Sequence, residues 1–210
     1  MMRERILYLH GFASGPASKK AAFFRDRFRE AGVGIEIPDL SEGRFERLTV
    51  TGQLRVIETC AAGAPVSLIG SSMGGYLAAL YAVRHPETVR LVLLAPAFGF
   101  ANRWKDWLGE DKLRRWRESG SLDFYHYGER RDCAVNYRLI EDARQFEDMP
   151  PVTQPVLIFH GRLDTVVPVE YSREFARNRE NVHLDVLDSD HELLDAFDVM
   201  WLGAREFLGY

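Results

Sequence analysis

The chain has 210 residues, 27 basic and 31 acidic, giving a net charge of -4, and 46% of its residues are hydrophobic. That size and balance suit one globular unit, 1–210, which can bury roughly 70% of the surface its unfolded form exposes without help from disulfide or metal. Lys and Arg are scattered rather than clustered, which argues against a nucleic-acid partner or an anionic membrane surface.

The start of the chain passes from charged residues straight into Ile6-Leu7-Tyr8-Leu9, too short an apolar run for a secretory signal. No later run reaches the ~18 apolar residues of a membrane span. Cys60 and Cys133 lie alone, so neither a disulfide framework nor a metal site is expected, and a reducing, cytoplasmic location is the default.

Residues 6–10 read as a buried strand, followed by the glycine-containing loop His10-Gly11-Phe12-Ala13-Ser14-Gly15-Pro16. Helical spacing over 17–31 ends at Gly32, a second apolar run covers 33–38, and helical spacing returns over 49–62 before Gly63. Three further strands are expected at 66–70, 91–95 and 156–160, with a last one at 182–187. Helices are expected over 72–84, 169–179 and 191–208. Short apolar runs alternating with amphipathic stretches are the mark of a mainly parallel, six-stranded sheet flanked by helices.

One interval breaks this rhythm. About fifty residues, 99–150, separate two strands, far more than the usual connection of about 2–6 residues. Trp104, Trp107, Leu108, Leu113 and Trp116 recur at helical spacing, and Tyr137, Leu139, Ile140 and Phe146 form a second such pattern. The expectation is a small helical insertion placed as a cap or lid. Trp104, Trp107 and Tyr125 are candidates to line it, against the plainer reading that they pack its interior.

Gly70-Ser71-Ser72-Met73-Gly74 is a G-x-S-x-G pattern between an apolar strand and a helix. Taken alone, the pattern fits a tight turn with a helix-capping serine equally well. In a sharp strand-to-helix turn, only residues without bulk two positions on either side let the chain close. Ser72 Oγ would then stand at the carboxyl end of the sheet as a nucleophile. The Met73 N–H would be free at a helix start to stabilise an oxyanion.

A serine needs a base and an orienting carboxylate to be activated. Asp164 follows the strand at 156–160, and His191 follows the strand at 182–187, giving the chain order Ser, Asp, His. Among the 6 histidines, His85, His126 and His183 suit capping, surface or packing roles, and His10 and His160 suit loop shaping. Asp188 and Asp190 compete with Asp164, but a residue beside the histidine rarely points at its ring. The Phe12 N–H, in the loop after the first strand, is the candidate second oxyanion donor.

The segments YLHGF, GSSMGG, HGRLDTVVP and DHE, in this order, resemble the α/β-hydrolase superfamily through nearly the whole chain. They are most similar to the small YqiA-type esterases, and at the elbow also to a palmitoyl-thioesterase-like branch. The resemblance implies an acyl-serine intermediate and no cofactor, with Ser72, Asp164 and His191 as the triad and Phe12 and Met73 as oxyanion donors. The expected substrate is a small acyl ester. An acyl thioester served by the same parts is the alternative, and a non-catalytic binding protein on the same scaffold is a further one. The sequence does not indicate an oligomeric state.

Overall fold

The structure, a computed structural model, describes residues 4–210. In chain order it contains β1 (Arg5–Leu9), α1 (Lys19–Glu30), α2 (Val50–Ala61), β2 (Val66–Ser71), α3 (Met73–Arg84) and β3 (Thr88–Leu94). Next come α4 (Trp104–Leu108), α5 (Glu110–Ser119), β4 (Ser121–His126), β5 (Arg131–Asn136) and α6 (Arg138–Ala143). The chain closes with β6 (Val156–Gly161), α7 (Glu170–Ala176), β7 (Val182–Leu187) and α8 (Phe197–Leu208).

Five strands form one parallel sheet in the order β1-β2-β3-β6-β7. The expected strand at 33–38 does not join it as a full member. Only Glu36 bridges to β1, exchanging bonds with Ile6 O at 2.9 Å and Tyr8 N–H at 2.8 Å. Pro38 has no N–H to extend the ladder and Gly34 has no side chain to pack, so the run touches the sheet and leaves it.

Alternation along the strands divides the core into two layers. Leu7, Leu9, Leu68, Leu91, Leu93 and Ile158 face α2, α3 and Phe175 of α7. Ile6, Tyr8, Ile69, Val92, Leu94 and Phe159 face α1 and α8, where Phe28 meets Trp201 edge-on at 5.0 Å. Each such buried aromatic contributes about 1.5–3 kcal/mol through area alone. The Ser18 hydroxyl accepts the Ala21 N–H at the start of α1, and Thr49 accepts the Gly52 N–H at the start of α2. Gly32 and Gly63 follow these two helices with φ near +70° (72° and 69°), as expected of helix stops.

The two edges of the sheet are β1 and β7. Along β7, exposed His183 pairs with Asp185 at 2.8 Å, while Arg5 and Glu36 pair beside β1.

The 99–150 segment differs from its helical expectation. It holds α4, α5 and α6, but its centre is an antiparallel hairpin, β4 paired with β5. Leu122, Phe124 and His126 turn inward while Asp123 and Tyr125 turn out, a period of two that an edge-exposed hairpin requires. Trp104, Trp116 and Phe124 meet at centroid distances of 5.0–5.7 Å, and Trp116 Nε1–H donates to Val135 O at 2.8 Å. The segment is tied to α2 by Asp142, which accepts the Thr51 N–H and hydroxyl at 2.8 and 2.7 Å.

Because all five strands run the same way, the loops after β1, β2, β6 and β7 gather at one rim, where open parallel sheets place their ligand sites.

Candidate active site

The turn between β2 and α3 is built by contact. A Cβ at Gly70 would collide with the Gly74 carbonyl, and one at Gly74 would collide with the Leu9 carbonyl. Between them Ser72 adopts φ 53° and ψ -116°, a conformation that L residues avoid and that only surrounding structure maintains. That structure is visible. The Ser72 N–H donates to Leu94 O at 2.8 Å, and its carbonyl accepts from Gly75 and Ala97, each at 3.0 Å.

The strained turn aims Ser72 Oγ at His191, whose Nε2 lies 3.1 Å away. On the other side of the ring, Nδ1–H donates to Asp164 Oδ2 at 2.7 Å. This pairing requires the Nδ1–H tautomer and leaves Nε2 free to accept the serine proton. The loop carrying His191 is itself pinned: Ser189 donates to Asp195, and Gly161 has no Cβ to collide with the Ser189 and Asp190 carbonyls. The last helix starts at Phe197 rather than at 191, so His191 sits in a loop free to approach the elbow.

The Asp164 side chain is fully buried. Its Oδ1 accepts the N–H groups of Val166 and Val167 at 2.8 and 2.7 Å, while Oδ2 faces His160 Nε2 as well as His191. Burial pushes its carboxyl up, but the hydrogen bonds from His160 and His191 outweigh it and hold the pKa well below the ordinary 3.8. The two rival aspartates are engaged elsewhere: Asp188 pairs with Arg162 at 2.7 Å, and Asp190 caps the N–H groups of Glu192 and Leu193.

His160 was expected only to shape a loop. It is fully buried; its Nε2–H also reaches Val167 O at 2.8 Å and its Nδ1 accepts from Ser172 at 2.7 Å. It thus buttresses Asp164 from the end of β6, held in turn by Ser172 of α7. The signal was in the sequence, since His160 and Asp164 are four apart across the turn after β6.

His10 plays the matching part on the other side. Its Nδ1–H donates to Gly11 O at 3.0 Å and its Nε2 accepts the Leu40 N–H at 3.1 Å, which fixes the loop after β1. Burial lowers its pKa, consistent with a neutral ring that accepts a hydrogen bond from an amide. A Cβ at Gly11 would stand 3.4 Å from Ser72 Cβ, so this loop runs directly beside the serine. Phe12 and Met73 both line the cleft with Ser72.

The cleft measures about 410 Å³ including its open mouth, and Ala97, Phe100, Arg103, Trp104, Trp107 and Val166 complete its wall. Of the three aromatic residues expected to line a cap, Trp104 and Trp107 line this cleft. Tyr125 instead lies exposed beside Tyr127, with ring centroids 5.3 Å apart. Phe100 and Arg103 were not anticipated. No helix among the described residues is long and apolar enough to cross a membrane.

Comparison with known proteins agrees with this architecture. The mitochondrial palmitoyl-protein thioesterase ABHD10 of Bos taurus is 27% identical over 219 residues, covering 94% of this chain and 70% of that protein. The crystal structure of a hydrolase from Agrobacterium vitis S4 superposes with a TM-score of 0.83 at 24% identity, covering 97% of this chain and 87% of that one. The α/β-hydrolase domain-containing protein 10 from mouse gives 0.81 at 21% identity, covering 97% and 88%. The parallel sheet, the strand-to-helix elbow and these neighbours establish an α/β-hydrolase fold, and with a match over residues 5–202 the chain belongs to the uncharacterised protein family UPF0227.

Proposed function

We propose that this protein is a serine hydrolase of carboxylic acyl esters, acting through an acyl-serine intermediate. The observation that carries the reading is the unbroken line from Ser72 Oγ through His191 to Asp164, at 3.1 and 2.7 Å, opening into an aromatic cleft.

Ser72 Oγ attacks the acyl carbonyl carbon while His191 Nε2 takes the hydroxyl proton. Asp164 stays ionised and stabilises the imidazolium. The carbonyl oxygen gains the negative charge and is met by the N–H groups of Phe12 and Met73. Collapse of this intermediate expels the leaving oxygen, to which His191 returns the proton. Water, deprotonated by the same imidazole, then attacks the acyl-serine and releases the acid and the restored hydroxyl. The 99–150 segment serves as a cap, its Trp104 and Trp107 forming the apolar wall against which an acyl chain lies.

Thioesters are the second reading, favoured by the relatives named as palmitoyl-protein thioesterases. The same parts serve both, with sulfur in place of the leaving oxygen. The two cysteines are free thiols, which fits a reducing compartment such as the cytosol.

Labelling with a fluorophosphonate probe, followed by mass spectrometry of the modified peptide, tests the reading. Modification of Ser72 is expected in the wild type and is expected to vanish in Ser72→Ala and His191→Ala. A well-folded wild type that takes up no probe would overturn the mechanism and favour a binding role for the scaffold.

A further inference from the structure

Arg103 is a half-buried cation in the wall of the cleft, beside Ser72 and Trp104. Its Nη1 donates to the Val166 carbonyl at 2.8 Å, and its guanidinium carbon stands 5.5 Å from the centroid of the Tyr171 ring. These contacts hold the group in place but do not neutralise it. Nε is shielded from solvent and has no hydrogen-bond partner. No carboxylate forms an ion pair with Arg103 among the described residues. Asp106 and Asp164 act on it only at longer range, and desolvation by burial pulls its pKa down.

The nearby carboxylate of Asp164 is already saturated. Both of its oxygens are taken, one by the Val166 and Val167 N–H groups and the other by His160 and His191. With Nη1 committed to Val166 and Nε shielded from solvent, Nη2 is the donor of Arg103 left over for the oxygen of a carboxylate. A cation desolvated in this way is stabilised when an anion enters the cleft.

We propose that Arg103 receives a carboxylate carried by the substrate, so that the cleft selects acyl esters or thioesters bearing an anionic group within reach of Ser72. This rests on the reading of Ser72 as nucleophile. The anion belongs either to the acyl chain or to the leaving group, and the chemistry of recognition is the same for both.

The experiment has a kinetic and a binding part. For the acyl side, kcat/KM is compared between mono-para-nitrophenyl adipate and para-nitrophenyl hexanoate, which differ by a terminal carboxylate. For the leaving side, the pair is the hexanoyl thioester of 3-mercaptopropionate and that of N-acetylcysteamine. The quantity read is the ratio of anionic to neutral substrate, which a merely structural role for Arg103 would not move. Arg103→Gln is expected to lower that ratio about tenfold in at least one pair, and Arg103→Lys, which keeps the charge, to lower it less. Circular dichroism melting checks that both variants fold.

For binding, adipate is titrated into Ser72→Ala while the tryptophan fluorescence, to which Trp104 and Trp107 of the cleft wall contribute, is followed. Saturable quenching is expected, and it should be lost in the Ser72→Ala, Arg103→Gln double variant. Unchanged ratios in both pairs together with no adipate binding overturn the proposal while leaving ester hydrolysis standing. Adipate binding through Arg103 in a protein that hydrolyses no ester overturns the reading of Ser72 as nucleophile, and with it selection among esters, while leaving the carboxylate site at Arg103.

Discussion

Ser72 and Trp104 line the same cleft, but they are held there by opposite means. The elbow around Ser72 is fixed by backbone lying on backbone: Gly70 against Gly74 and Gly74 against Leu9. No side chain fills those spaces, so nothing there can be trimmed or rearranged. The 99–150 segment is held by rings, with Trp104 touching Phe12, Phe100, Trp107, Trp116 and Phe124. Such a cluster loses energy in increments, while the elbow admits no intermediate condition. The difference teaches that, under the proposed function, chemistry and substrate range would reside in parts of the molecule with unequal tolerance to change.

The two regions meet at Phe12. Its ring lies 5.1 Å from Phe124 and 5.5 Å from Trp104, and the Tyr127 N–H donates to Ala13 O at 2.9 Å. The loop beside Ser72 is thus packed from above by the hairpin and pinned from below by His10.

The sharpest blow to one region that leaves the other intact is Asp164→Asn. Ester hydrolysis is expected to fall by about 10⁴-fold through loss of the tautomer that His191 requires, with the tryptophan fluorescence of the cap unchanged. Gly74→Ala comes next. The new methyl strikes the Leu9 carbonyl, so a loss of about 4 kcal/mol or more and little folded protein on urea titration are expected. A Gly74→Ala protein of wild-type stability would refute the claim that backbone closeness fixes the elbow.

Trp104→Ala probes the other side of the comparison. It should cost about 3 kcal/mol of stability and raise KM for long acyl esters more than it lowers kcat. An equal fall in kcat would show that the cap is as rigidly coupled to the chemistry as the elbow. Thr51→Val removes one donor to Asp142 and loosens the tie between α2 and α6 by about 1 kcal/mol, read as a small drop in melting temperature.

The mildest effect is a pH dependence. Because Asp164 has a folded-state pKa below its unfolded one, its ionised form stabilises the protein above the ordinary carboxylate pKa of 3.8, and this contribution is lost as pH falls through the lower folded value. The stability gap between wild type and Asp164→Asn should therefore narrow below about pH 4.

Much of this was legible in the sequence because strands and the ends of parallel strands announce themselves. Ser72, Asp164 and His191 each follow an apolar run, and parallel topology brings such positions to one rim. The hairpin was missed although its alternation was present: Leu122, Phe124 and His126 against Asp123 and Tyr125. Its aromatic residues masked the period by appearing on both faces. The run 33–38 reads as a strand by composition, yet pairing depends on donors and neighbours that composition does not count. Arg103 left no trace in the sequence, since a guanidinium is placed on the surface by default and only packing reveals one drawn into a cleft.

The charged pairs at the margins of the sheet have a consequence beyond this molecule. A second copy laying a strand along β7 would have to strip water from His183 and Asp185, and one approaching β1 would first meet the Glu36 bridge and its ion pair with Arg5. An open parallel sheet is a template for aggregation wherever its outer ladder is bare and apolar. Here charge guards one outer strand and a crossing segment shields the other, so concentrated protein is protected from growing by strand addition.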